Sequence, residues 1–127
     1  MACPLFLPDE MLPEAAPGAP LGALFRGRCH GDAALHIPEE LLWRGCNTGY
    51  ARGICARAAD SPVDALRYLV RAHVDGEIEV AWSSEADHSP VAVGNIRVRS
   101  APVPADPLES QARDVASVYL RRKGRDW

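Results

Sequence analysis

The sequence predicts an α+β fold: a three-stranded antiparallel meander with a C-terminal helix on one face, and an irregular or helical N-terminal half that carries the cysteines. Three observations point there. Residues 66–73 and 77–83 alternate in polarity around an Asp75-Gly76 turn, the pattern of a hairpin. Residues 106–124 carry a full set of helix start and stop signals. Cys3, Cys29, Cys46 and Cys55 all precede both of those elements.

At 127 residues, 47% of them apolar and 24% charged, the chain is composed like one globular domain. It divides into a Pro-rich arm (1–22), a cysteine-bearing segment (23–58), a meander (65–99) and a helix (106–123). The net charge of −3 gives no basic field to draw nucleic acid or an acidic membrane. The N-terminus shows neither a basic n-region nor a long apolar run, so the expectation is a cytoplasmic protein without a leader or membrane span. In a reducing compartment, cysteines are free, catalytic or metal-bound more often than disulfide-paired.

In the arm, Pro4, Pro8, Pro13, Pro17 and Pro20 exclude a long helix. Leu5, Phe6, Leu7, Met11 and Leu12 make it too apolar for a free tail, so it is expected to lie extended on the domain. Residues 23–36 read as short and irregular, with Gly27, Cys29, His30 and Gly31. Residues 37–43 then read as a helix start. Pro38 suits the first turn, Glu39 and Glu40 the positive end of the dipole, and Leu41, Leu42 and Trp43 the buried face, with Gly45 as a stop.

Cys46 and Cys55 are nine residues apart, so on one straight helix they would be separated by about 13 Å and half a turn. Sharing a metal requires a break between them, and Asn47, Gly49 and Gly53 permit one. The expected result is a turn at 47–49 and a short helix over 50–58. Cys46 would then precede a helix N-terminus, which favours its thiolate.

After a turn at 60–64 comes the hairpin. A three-residue loop, Val74-Asp75-Gly76, pairs His73 with Glu77, Ala72 with Ile78, Val70 with Val80 and Tyr68 with Trp82. It makes one face wholly apolar, sets Arg71 against Glu79, and is preferred on that ground to a two-residue loop. Residues 84–90 read as a polar turn and 91–99 as a third strand, bulged at Gly94-Asn95. In the last helix, Asp106 is the N-cap, Pro107 the first residue and Glu109 the partner in a capping box. Leu108, Ala112, Val115 and Tyr119 supply the apolar stripe, Arg121, Arg122 and Lys123 the last turn, and Gly124 the stop.

The cysteine spacing is Cys3-x25-Cys29-x16-Cys46-x8-Cys55. Structural zinc sites bring ligands in close pairs, and none is present. Iron–sulfur clusters are larger and accept isolated thiolates from separate loops, so the set is read as ligands of a [4Fe–4S] cluster, with zinc the alternative. Tyr50, Ile54 and Trp43 are expected to shield it. Asn47, Thr48 and Tyr50 are the expected cofactor-binding residues around it, with Asn47 and Thr48 donating to its sulfurs. Cys3-Pro4, the isolated Cys29 and the run from Cys46 through Asn47, Gly49, Tyr50 and Ala51 to Cys55 resemble a group of small, uncharacterised bacterial four-cysteine proteins. In these a Cys-Pro start and a Cys-Asn-x-Gly-Tyr-Ala loop recur together. The resemblance implies that the four cysteines act as one set, and it implies no activity and no particular metal.

The expected function is electron transfer, or service as an accessory subunit, with a redox protein or larger complex as partner. It is not an enzyme in this reading. An interaction protein with structural zinc or no metal is the alternative, and a thiol enzyme using Cys29 and His30 is a third.

Overall fold

Turn chemistry and alternating polarity in the second half of the chain produce the meander. A computed structural model describes residues 2–13, 19–30, 34 and 36–127; Pro17 and Gly31 lie outside the described residues. Strands β3 (Ala65–Val74), β4 (Glu77–Ala86) and β5 (Ser89–Val98) form an antiparallel sheet in sequence order. The loop of the first hairpin differs from expectation. Val74 pairs with Glu77, so the loop has two residues, and Asp75 and Gly76 both have positive φ (53° and 76°). Two positive φ values make the mirror-image turn whose twist matches that of the strands. The apolar-face pairs Val70–Val80 and Tyr68–Trp82 nevertheless form, because the register shifts between Val70 and Ala72. A bulge at Arg71 thus does what the longer loop was expected to do: Ala72 pairs with Glu79, and His73 with Ile78.

The expected polar turn at 84–90 is narrower. The strands run on to Ala86 and from Ser89, leaving Asp87 and His88, both at positive φ, as a second two-residue turn. The bulge of β5 also moves. Ser84 pairs with Ala92 and Glu85 with Pro90, so Val91 is the extra residue, while Gly94 and Asn95 stay in register. Gly94 instead makes room for an aromatic ring: a Cβ there would lie 2.8 Å from the Trp82 indole.

Helix α2 (Pro107–Lys123) ends as its signals predict. An Asp106 side-chain oxygen accepts from the Glu109 N–H at 3.2 Å, and Gly124 closes the helix at φ 63°. Its buried positions correct the stripe, being Gln111, Ala112, Ala116, Val118 and Leu120 among others. The reason is that the helix is covered on two sides. Ala112, Ala116 and Leu120 pack on Ile78, Val80 and Val98 of the sheet. Val118 packs into a second cluster with Ala2, Cys3, Phe6, Leu21, Phe25 and Leu42.

That second cluster belongs to the N-terminal half, which holds a sheet absent from the expectation. β1 (Phe6–Met11) pairs antiparallel with β2 (Phe25–Cys29), so residues 6–11 form a strand of their own small sheet rather than an arm laid on the domain. Pro8 is accommodated because Gly27 faces it; a Cβ on Gly27 would overlap the Leu7 carbonyl. Phe6 and Phe25 are 1% and 2% exposed, each a burial of about 2–3 kcal/mol. Ala2 exchanges backbone hydrogen bonds with Leu66 at 2.9 and 2.8 Å, stitching the chain's start to β3. Gln111, fully buried, donates to the Cys3 and Phe6 carbonyls at 2.8 Å each and accepts from the Tyr68 hydroxyl at 2.9 Å. One side chain therefore ties the Cys3 turn to helix and sheet. Among the described residues no helix is long and apolar enough to cross a membrane.

Candidate metal centre

Four separate segments bring the cysteines to one cavity. Cys3 sits in a tight turn closed by Phe6 N–H on its carbonyl (3.0 Å), and its own N–H donates to the Cys46 carbonyl at 3.0 Å. Cys29 ends β2 opposite Phe6. Short helix α1 (Glu39–Leu41), capped by Pro38, widens at once into a π-turn over Leu42–Cys46, with the Asn47 N–H on the Leu42 carbonyl at 3.0 Å. Gly45 does not stop this helix; it lies buried within the π-turn.

The chain then breaks where Asn47 and Gly49 allow it. Gly49 has φ 80°, and a Cβ would lie 2.7 Å from that of Ala65, so the position admits only glycine. The short helix expected over 50–58 is absent. Successive turns run there, with Cys55 N–H on the Ala51 carbonyl (2.8 Å), and one turn of 3₁₀ helix follows at Ala58–Asp60. Tyr50 cannot start a helix because it is pinned outward at φ 55°, its N–H on the Asp64 carbonyl at 2.9 Å.

Cys46 is consequently the last residue of the π-turn and precedes no helix N-terminus, so the dipole expected to favour its thiolate is missing. Burial pushes its thiol up to about 12, with the charges of Cys3, Cys55 and Cys29 adding to the shift. Burial likewise pushes Cys3 up to about 11, with Cys29 and Cys55 adding to it. Cys3 and Cys46 therefore hold their protons at neutral pH when no cation is present.

All four cysteines are free, and all four border one cavity together with Phe6, Ile37, Leu41, Ala51 and Arg57. Its open volume is about 20 Å³, close to what one water or ion occupies. Among the described residues no group of three or more His, Cys, Asp or Glu is drawn together tightly enough to hold a metal ion as it stands. Cys3 and Cys29 are buried while Cys46 and Cys55 are partly exposed, so one edge of the cavity turns toward solvent.

The hydrogen-bonding residues named from sequence are engaged elsewhere, and none of Asn47, Thr48 or Tyr50 borders the cavity. Asn47, 1% exposed, accepts from the Phe25 N–H (3.0 Å) and donates to the Phe25 and Leu42 carbonyls (2.9 Å each), bracketing β2 to the π-turn. Thr48 donates to the Trp43 carbonyl at 2.7 Å. The Tyr50 hydroxyl donates to Glu85 at 2.5 Å and accepts from the His88 N–H at 2.9 Å, and its ring stacks on that of His88. Trp43 does not line the cavity and Ile54 is 49% exposed; Phe6, Ile37, Leu41 and Ala51 are the apolar wall. His30 is exposed beside the buried Cys29.

Two ion pairs missed in the sequence stand beside this loop, one tying it to the residue before β3 and one crossing from β3 to β4. Arg52 pairs with Asp64 and Arg67 with Glu85, each at 2.6 Å. The Asp87 N–H and then Arg52 hold the Asp64 carboxyl below its usual range, and Arg67 and then Tyr50 do the same for Glu85. Arg57 was missed as well, although a cation two residues beyond a loop cysteine is a readable signal. Comparison with known protein families, characterised proteins and solved structures finds no match.

Proposed function

We propose that the chain is a small metal-binding protein whose four cysteines hold one [4Fe–4S] cluster, and that it serves in electron transfer or as an accessory subunit beside a protein partner. The reading places it in the reducing cytoplasm, where such thiols stay free. The observation that carries it is convergence: free thiols at positions 3, 29, 46 and 55, delivered by four separate segments, border one cavity walled mainly by apolar side chains. Cysteines buried merely as small hydrophobes have no reason to share a single cavity.

Two features favour a cluster. Structural zinc, with four bonds of about 2.3 Å to one ion, is usually served by close ligand pairs, and Cys3, Cys29, Cys46 and Cys55 form none. A cluster gives each thiolate its own iron and spans a wider set. The solvent-facing edge formed by Cys46 and Cys55 is where a partner would exchange electrons. One observation favours zinc as a second reading, namely the cavity's open volume of about 20 Å³. A single ion drawing the 50–55 turns inward would staple the N-terminal half.

The test is anaerobic purification followed by iron, sulfide and zinc analysis with a visible spectrum. Iron and sulfide in equal amounts with a broad visible band support the cluster. Colourless protein with one zinc per chain supports the second reading. Metal-free protein with four titratable thiols refutes both.

A further inference from the structure

Arg57 stands in the wall of the four-cysteine cavity. Its Nε is shielded from solvent and has no hydrogen-bond partner, the one buried side-chain nitrogen or oxygen so placed among the described residues. The neighbouring arginines differ: Arg52 has the buried Asp64, and Arg67 the buried Glu85. No ion pair of Arg57 is found among the described residues. A buried donor without an acceptor is unfavourable, and native proteins rarely keep one without a use. Among the described lining residues, the other side chains with polar chemistry are the four cysteines.

We propose that Arg57 is the charge-compensating donor of the thiol centre, its Nε–H donating to a ligand sulfur once the centre is filled. This rests on the metal reading above. Four thiolates outweigh the charge of a divalent ion, and equally that of an oxidised [4Fe–4S] core, so a filled centre is a net anion in an apolar pocket. Hydrogen bonds to ligand sulfur and nearby positive charge set both the retention of such a centre and, for a cluster, its potential. A guanidinium suits the task because it combines a positive charge with N–H donors in a fixed planar geometry. Arg57 acts on the centre through its sulfurs and is therefore a positioning residue.

The experiment compares the unsubstituted protein with Arg57→Leu, which removes donor and charge, and Arg57→Lys, which keeps the charge without the Nε–H. Zinc-loaded and iron–sulfide-reconstituted samples are mixed with a chromogenic chelator, and the rate of metal release is recorded. The metal-free forms are melted in parallel. Arg57→Leu is expected to release metal about tenfold faster or more, with Arg57→Lys between the two. In a reconstituted cluster, Arg57→Leu also lowers the reduction potential. The metal-free melting temperature stays the same or rises, because no bond is lost there. Equal release rates would overturn the proposal while leaving the metal reading intact. A fall in metal-free stability or loss of folding in Arg57→Leu would overturn it too, by showing that Arg57 is a structural residue. Failure of the unsubstituted protein to hold any metal would overturn the metal reading, and this inference with it.

Discussion

Replacing Asn47 breaks the bracket that holds two of the cysteines in place. The side chain makes three hydrogen bonds, two to the backbone of Phe25 in β2 and one to the Leu42 carbonyl in the π-turn. Cys29 ends the first of these elements and Cys46 the second. At 1% exposure, water cannot replace the lost partners in Asn47→Ala. Three bonds at about 1 kcal/mol each, plus the cost of a buried backbone left unpaired, give a loss of about 3–5 kcal/mol. That is a large share of the roughly 5–15 kcal/mol that holds a domain together. Asn47→Asp keeps the acceptor for the Phe25 N–H but turns a carboxylate toward two carbonyls. It is expected to cost more than Asn47→Ala at neutral pH, and to recover as pH falls and the carboxyl gains a proton. Urea denaturation of the metal-free proteins, extrapolated linearly, reads both effects. A loss under about 1 kcal/mol for Asn47→Ala, or pH-independent behaviour of Asn47→Asp, would refute the bracket.

Gly94→Ala sets a Cβ 2.8 Å from the Trp82 ring and is expected to cost about 1–3 kcal/mol of overpacking, visible as a lower urea midpoint and shifted tryptophan emission. Asp114 is pushed up from 3.8 to about 7, chiefly by burial, with Arg113 opposing and Asp9 adding. The folded chain thus keeps a proton that the unfolded chain gives up, and stability falls as pH rises from about 4 to about 7. Asp114→Asn is expected to match its parent near pH 4 and exceed it at pH 8 by at most about 4 kcal/mol; equal stability at both would count against the shift. With Cys46 near 12 and Cys3 near 11, iodoacetamide should label both slowly in folded metal-free protein at pH 8 and quickly in urea, as followed by peptide mass spectrometry. Rapid labelling in the folded form would contradict the raised values.

Elements with local signals were legible. Asp106, Pro107, Glu109 and Gly124 specify α2 within one stretch of chain, and the Asp-Gly turn specifies the first hairpin. Register was only half legible, because a bulge at Arg71 substitutes for loop length and one turn dipeptide cannot show which is used. The β1–β2 sheet was hidden by its own compatibility device. Pro8 and Gly27 each read as a strand breaker, and only together do they form a workable pair. At the candidate site, the break between Cys46 and Cys55 was readable from Asn47 and Gly49, and the convergence of four cysteines from their number and clustering. What Asn47, Tyr50, Gln111 and Arg57 touch was not readable, since each contact crosses between segments far apart in sequence.

X-ray absorption at the metal edge of anaerobically isolated protein tests most directly whether four thiolates hold one centre. The account predicts a first shell of sulfur alone around iron, with a second shell of iron scatterers from a [4Fe–4S] core. A zinc edge with four sulfurs at about 2.3 Å would keep the site and change its occupant. A shell of nitrogen or oxygen, or no metal above background, would contradict the account.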